Sequence, residues 1–240
     1  EKLGFEALAT TRLGFAWSRG RPDNAMALDE VLAHCRAIVA ATGLPVTAAF
    51  EDGHARDLRG LKENVRRCID TGVAGLSIED STGDAAQPLY EFDEAVARMR
   101  AVREAIDASG EDVMLVGRAE CFLTGHPDPL NESLRRLKAY AAAGADCLYA
   151  PGVKTREQIT AIVQAVAPTP VNVLVGWAAD FALADVAKLG VRRVSVGGAL
   201  AGSAWGGFLR AARALAEGRF EGFAQNATHA ELNGLMQQRK

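Results

Sequence analysis

Four points in this 240-residue sequence place polar or charged side chains directly after short apolar runs. Residues 45–50 run into Glu51-Asp52-Gly53-His54, residues 74–78 into Glu79-Asp80, and residues 113–116 into Gly117-Arg118-Ala119-Glu120. Residues 5–9 run into Thr10-Thr11-Arg12. Carboxylates that meet at one mouth repel each other unless a cation sits between them, and a divalent metal or an arginine supplies one. Hard oxygen ligands suit Mg2+, which keeps several waters and touches few carboxylates directly. Arg118 carries a fixed charge that can fork onto a substrate carboxylate or face a developing oxyanion. Any one of these residues is as well explained as a solvated loop position. Glu51, Glu79 and Arg118 together, each closing an apolar run, point to a site.

A repeated joint along the chain would bring them together. A helix-like stretch, a glycine and a short apolar run recur at Gly4, Gly43, Gly72, Gly110, Gly144 and Gly190. Glycine just past a helix end takes the left-handed conformation at little cost. The runs that follow (5–9, 45–50, 74–78, 113–116, 147–149 and 191–196) suit parallel strands buried on both faces, and 171–175 adds one without the glycine. Between them, Leu58, Leu61, Val65, Cys68 and Ile69 share one helix face, as do Phe92, Ala95, Val96, Met99, Val102 and Ile106. Strand alternating with helix predicts right-handed βαβ units. The rhythm of about seven strands predicts an α/β fold of the parallel (β/α)8 TIM type, with working residues at the C-terminal strand ends. An open doubly wound sheet is the alternative. The chain opens on what reads as a helix end, so a further strand and helix are expected upstream of Glu1. A single domain over 1–240 is expected, with 219–240 a helical tail.

Composition narrows the function. The formal charge of −3 lacks the basic excess of a nucleic-acid binder, and no apolar run is long enough for a membrane span. Four scattered cysteines, none in a Cys-x-x-Cys pair, suggest reduced thiols and a cytoplasmic protein. No Gly-x-Ser-x-Gly elbow is present. The run 196–202 misses the spacing of a phosphate-binding turn and reads better as a tight strand-to-helix turn. Of the four histidines, His54 alone follows a strand end. Cys121 follows the Arg118 strand, and buried packing is its default reading.

The segments Gly4-Phe5-Glu6-Ala7-Leu8-Ala9-Thr10-Thr11, Glu51-Asp52-Gly53 and Gly75-Leu76-Ser77-Ile78-Glu79-Asp80, with Arg118, Gly144-Ala145-Asp146 and Leu189-Gly190-Val191, resemble the isocitrate lyase and phosphoenolpyruvate mutase superfamily. The resemblance covers nearly the whole chain. It implies a lyase that cleaves or decarboxylates a small 2-oxo or 2-hydroxy acid through a metal-stabilised enolate. It implies Mg2+ held by Glu51 and Glu79, mainly through water, with Asp23 nearby. Arg118 would face the enolate oxygen, with Asp23 and Glu120 completing the catalytic set. Thr11, Arg12 and Asn172 would meet the substrate. It also implies a homodimer or homotetramer with exchanged C-terminal helices.

The departures are specific. Ala49 stands where the superfamily carries the aspartate that is its most direct metal ligand, on the same strand face as Glu51 by alternation. Arg12 replaces a small residue beside the substrate carboxylate, and Glu120 an aspartate. The segment 81–88 contains none of the cysteine, lysine or histidine of isocitrate-type lyases, which argues against isocitrate-type cleavage and against phosphoryl migration. A catalytically impaired barrel that binds small acids or protein partners is the competing expectation.

Overall fold

The computed structural model describes residues 1–237. Residues 1–4 close a turn, the Gly4 N–H donating to the Glu1 carbonyl at 3.0 Å. The elements then alternate: β1 (Leu8–Ala9), α1 (Arg12–Ser18), α2 (Leu28–Ala40), β2 (Val46–Ala49), α3 (Leu58–Ile69), β3 (Gly75–Glu79), α4 (Phe92–Ser109) and β4 (Met114–Arg118). They continue with α5 (Pro129–Ala142), β5 (Cys147–Tyr149), α6 (Arg156–Val166), β6 (Asn172–Leu174), α7 (Leu183–Lys188), β7 (Arg193–Ser195), α8 (Ala199–Ala216) and, after a short 3-10 turn, α9 (His229–Met236).

Strands β1 to β5 pair in chain order, all parallel, and β6 pairs with β7 in the same sense. A single bridge between Leu148 and Val171 links β5 to β6. The order lacks the reversal that a doubly wound sheet requires. The result is a parallel α/β protein whose first five strands form a curled half-barrel; no eighth strand occurs among the described residues.

Five of the six joint glycines take positive φ, and Gly43 does not. The helix faces bury as their period predicts: Leu61, Val65 and Cys68 of α3 and Ala95, Met99, Val102 and Ile106 of α4 enter one core with Leu76, Leu115 and Leu148 of the strands. Leu58 stays largely exposed. The run 196–202 is a strand-to-helix turn opening α8. Helix α8 leaves an apolar stripe outward, with Leu200 67% and Phe208 60% exposed. The Arg219 N–H closes the end of α8 by donating to the Ala214 carbonyl at 2.9 Å, and Gly222 then packs back against Ala211. No described helix is long and apolar enough to cross a membrane.

Candidate active site

The turn after β2 is shaped by a buried arginine. Glu51, Gly53 and His54 have φ of +52°, +80° and +53°, and the left-handed region is costly for the two non-glycines. Arg98 of α4, 2% exposed, crosses beneath the turn. Its guanidinium donates to the carbonyls of Asp52 and, at 2.8 Å, Ala55. It stacks on the Tyr90 ring at 4.2 Å, and the Tyr90 hydroxyl donates to Asp52 Oδ2 at 2.9 Å. Asn64 Nδ2 donates to the carbonyls of Gly53 and His54 at 2.9 and 3.0 Å. Asp52 is thereby turned away from the mouth, and Glu51 is presented to it. A charged residue inside the apolar period of α4 was the sequence signal for Arg98, and periodicity alone passed over it.

Around Glu51 the charges alternate in a chain. Arg12, at the start of α1, grips Asp23 with Nε at 2.8 Å and Nη2 at 3.1 Å. Its Nη1 lies 3.2 Å from Glu79 Oε1 and 4.0 Å from Glu51 Oε2. The other oxygen of Glu79 meets Arg118 Nη1 at 3.0 Å, and Arg118 Nε donates to Glu120. The order is Asp23, Arg12, Glu79, Arg118, Glu120. Register explains the meeting: Glu79 and Arg118 are partners across β3 and β4, and Arg118 and Tyr149 across β4 and β5. Partners in a parallel ladder share a face. Arg118 lies over the Tyr149 ring at 5.3 Å.

Burial tunes these groups. It pushes Glu51 up to about 7 against the pull of Arg12, and Glu120 up to about 7 against Arg118. Burial works against the charge of Arg12 and of Arg118, but the carboxylates outweigh it and hold both above the ordinary arginine value. Carboxyls near 7 suit proton transfer at neutral pH.

Asp80, next to Glu79, faces the helix layer. Its Oδ2 accepts from Tyr140 and Arg136 of α5 at 2.5 and 3.0 Å, and its Oδ1 from the Glu120 N–H at 2.8 Å. This buried network fixes the chain just past β4 and so aims Glu120.

Of the residues singled out in the sequence, Arg12, Asp23, Glu51, Glu79, Arg118 and Glu120 come together. Thr11 adjoins them, its hydroxyl capping α1 by accepting from Gly14 N–H at 3.4 Å. Asn172 is buried on β6, beyond β5 from Arg118, and donates to Ser195 Oγ at 3.0 Å. His54 Nε2 is buried without a hydrogen-bond partner among the described residues, 3.9 Å from Glu51 Oε1. Burial lowers the His54 pKa. Cys121 is fully buried and pushed by burial up to about 11, which leaves it a packed thiol. The segment 81–89 folds as a loop closed by an antiparallel bridge between Ser81 and Leu89. A roomier cleft of about 550 Å3 lies at the opposite, N-terminal strand ends, between Met114, Arg103 and Asp146.

The implied Mg2+ does not fit this donor set. Ala49 offers no oxygen where the direct ligand belongs, and its N–H donates to Thr10 Oγ1 at 2.9 Å. Both oxygens of Glu79 are taken by guanidinium groups. No group of three or more metal-binding side chains occurs among the described residues.

A parallel α/β sheet with an ionic site at its C-terminal strand ends defines a broad class of enzymes. The sequence profile of the phosphoenolpyruvate phosphomutase family matches residues 1–216. An oxaloacetate decarboxylase of Paraburkholderia xenovorans (strain LB400) is 33% identical over 204 residues, 81% of this chain and 64% of that protein. The chain thus spans less than two thirds of that curated relative. A crystal structure from Burkholderia cenocepacia J2315, assigned as a lyase/mutase, superposes with a TM-score of 0.92 at 43% identity, covering 97% of this chain and 84% of that one. Oxaloacetate acetylhydrolase in complex with its product oxalate superposes with a TM-score of 0.79 at 27% identity, covering 89% and 75%. The chain belongs to the phosphoenolpyruvate mutase/isocitrate lyase superfamily.

Proposed function

We propose that this chain is a carbon–carbon lyase that cleaves or decarboxylates a small 2-oxo or 2-hydroxy carboxylic acid through an enolate. The observation that carries this reading is the alternating chain Asp23–Arg12–Glu79–Arg118–Glu120 at the strand ends. The oxaloacetate-directed relatives support the substrate class. In a 2-oxo acid with a carboxylate on C3, the bond from C3 to that carboxylate breaks and CO2 leaves. The electron pair moves between C3 and C2, the C2 oxygen takes the negative charge, and a proton then returns to C3. Arg118 faces the developing oxyanion, and preorganised charge of this kind is a large catalytic term. Thr11 and the backbone beside it hold the substrate carboxylate. Glu51 and Glu120, with pKa near 7, serve as proton carriers.

The unreversed order of parallel strands supports a closed eight-stranded barrel as the complete fold. The outward apolar stripe of α8 supports a homodimer or homotetramer, with the tail from residue 219 exchanged between subunits. Four unpaired cysteines support a cytoplasmic setting.

The test is CO2 and 2-oxo acid release over a panel of 2-oxo and 2-hydroxy acids. Arg118→Ala is expected to lower kcat/KM at least about 100-fold with the fold intact. Oxalate binding without turnover of any panel acid would favour the second reading, an acid-binding barrel, for which Ala49 and the plain 81–88 segment speak.

A further inference from the structure

We propose that Arg12 is the built-in cation of this site, replacing a divalent metal, so that the pocket takes its acid ligand without one. This rests on the reading of the pocket as one for small oxo acids.

Three observations converge. The Arg12 guanidinium lies among the carboxylates that would otherwise need a metal, bidentate on Asp23, 3.2 Å from Glu79 and 4.0 Å from Glu51. The change that removes the direct metal ligand, Ala49, lines the same crevice as Arg12 and Glu51. A loss of anionic charge and a gain of cationic charge therefore occur side by side. A metal on Glu79 would also share its oxygens with two guanidinium groups, and like charges at contact distance repel strongly where water is scarce.

Arg12 keeps capacity for a ligand. Of its five N–H groups, three point to Asp23 and Glu79, which leaves two for an oxygen of the substrate carboxylate or carbonyl. A planar fork suits a planar oxo acid. Glu79, held between Arg12 and Arg118, then spaces two cations so that one can face each end of a short dianion.

The experiment has two readouts. Oxalate is titrated by calorimetry in EDTA and again in excess Mg2+; Mn2+ binding to the same protein is followed by electron paramagnetic resonance. The proposal expects oxalate to bind in EDTA with an affinity that Mg2+ changes by less than about twofold, and the wild type to hold no Mn2+. Arg12→Ala should weaken oxalate in EDTA at least about tenfold, the loss of a charge-assisted contact, and Arg12→Lys should fall between. Arg12→Ala combined with Ala49→Asp should create a Mn2+ site. Stoichiometric Mn2+ on the wild type, or oxalate binding that requires Mg2+, overturns the assignment and leaves the lyase reading standing. Unchanged oxalate affinity in a folded Arg12→Ala protein overturns it as well. Absence of oxalate binding in both conditions overturns the lyase reading itself, and this assignment with it.

Discussion

Replacing Glu51 by glutamine should make the protein more stable at high pH than at low pH, relative to the wild type. Glu51 is mostly buried, and burial raises its pKa from an ordinary 4.5 to about 7. A raised carboxyl pKa means that the native state binds the proton more tightly than the unfolded state. The stability this confers is full below pH 4.5 and is lost as pH rises through about 7. At 1.36 kcal/mol per pH unit, the span corresponds to about 3 kcal/mol. Glutamine has nearly the shape of the protonated acid and does not titrate. The difference in unfolding free energy between Glu51→Gln and wild type should therefore grow by about 3 kcal/mol between pH 4.5 and pH 8, in favour of the variant. The other carboxylates are common to both proteins and cancel. Urea unfolding at half-unit pH steps, extrapolated linearly, measures it. A difference flat to within about 0.5 kcal/mol across the window would refute the claim that Glu51 bears an uncompensated burial cost.

Three further perturbations probe the supports of the site. Arg98→Met removes the donor that ties down the 52–55 carbonyls and should cost about 2–4 kcal/mol in urea unfolding, with His54 ring resonances shifted in NMR spectra. Gly53→Ala places a methyl 2.1 Å from Leu61 Cδ1 at a φ of +80°, and a loss of at least about 2 kcal/mol is expected; a neutral result would mean that the turn relaxes freely. Leu200→Glu with Phe208→Glu charges the outward stripe of α8; sedimentation velocity should show a smaller species than the wild type, and an unchanged assembly would remove this stripe from any subunit interface.

Strand positions were the most legible feature of the sequence. Residues 147–149 match β5 end for end, and the other runs differ from the observed strands by up to three residues at an end. Continuous apolar runs after glycine joints leave little freedom of placement. Which side chains cluster was legible because strand ends in a parallel sheet converge, which gathered Glu51, Glu79, Arg118 and Glu120. What Arg12 does was not legible: its partners Asp23 and Glu79 lie 11 and 67 residues away, and no local pattern reports a contact closed through the tertiary fold. Arg98, Arg136 and Tyr140 were missed for a related reason. Each is a polar group on a helix face that packs inward, and its necessity follows from carbonyls and a carboxylate contributed by other elements.

Glu79 and Asp80 are consecutive acids with opposite duties, one at the ionic mouth and the other locked to Tyr140 and Arg136 beneath the sheet. A strand alternates faces with each residue, so inserting or deleting one residue between α3 and β3, by slipping the strand one position, would turn each acid to the opposite face. An insertion would press the glutamate into the pocket built for the shorter acid, and a deletion would set the aspartate before both arginines with too short a reach. The α3–β3 joint should therefore tolerate substitutions at its exposed positions while rejecting any change in its length, a signature that a deep insertion and deletion scan would separate from ordinary loop permissiveness.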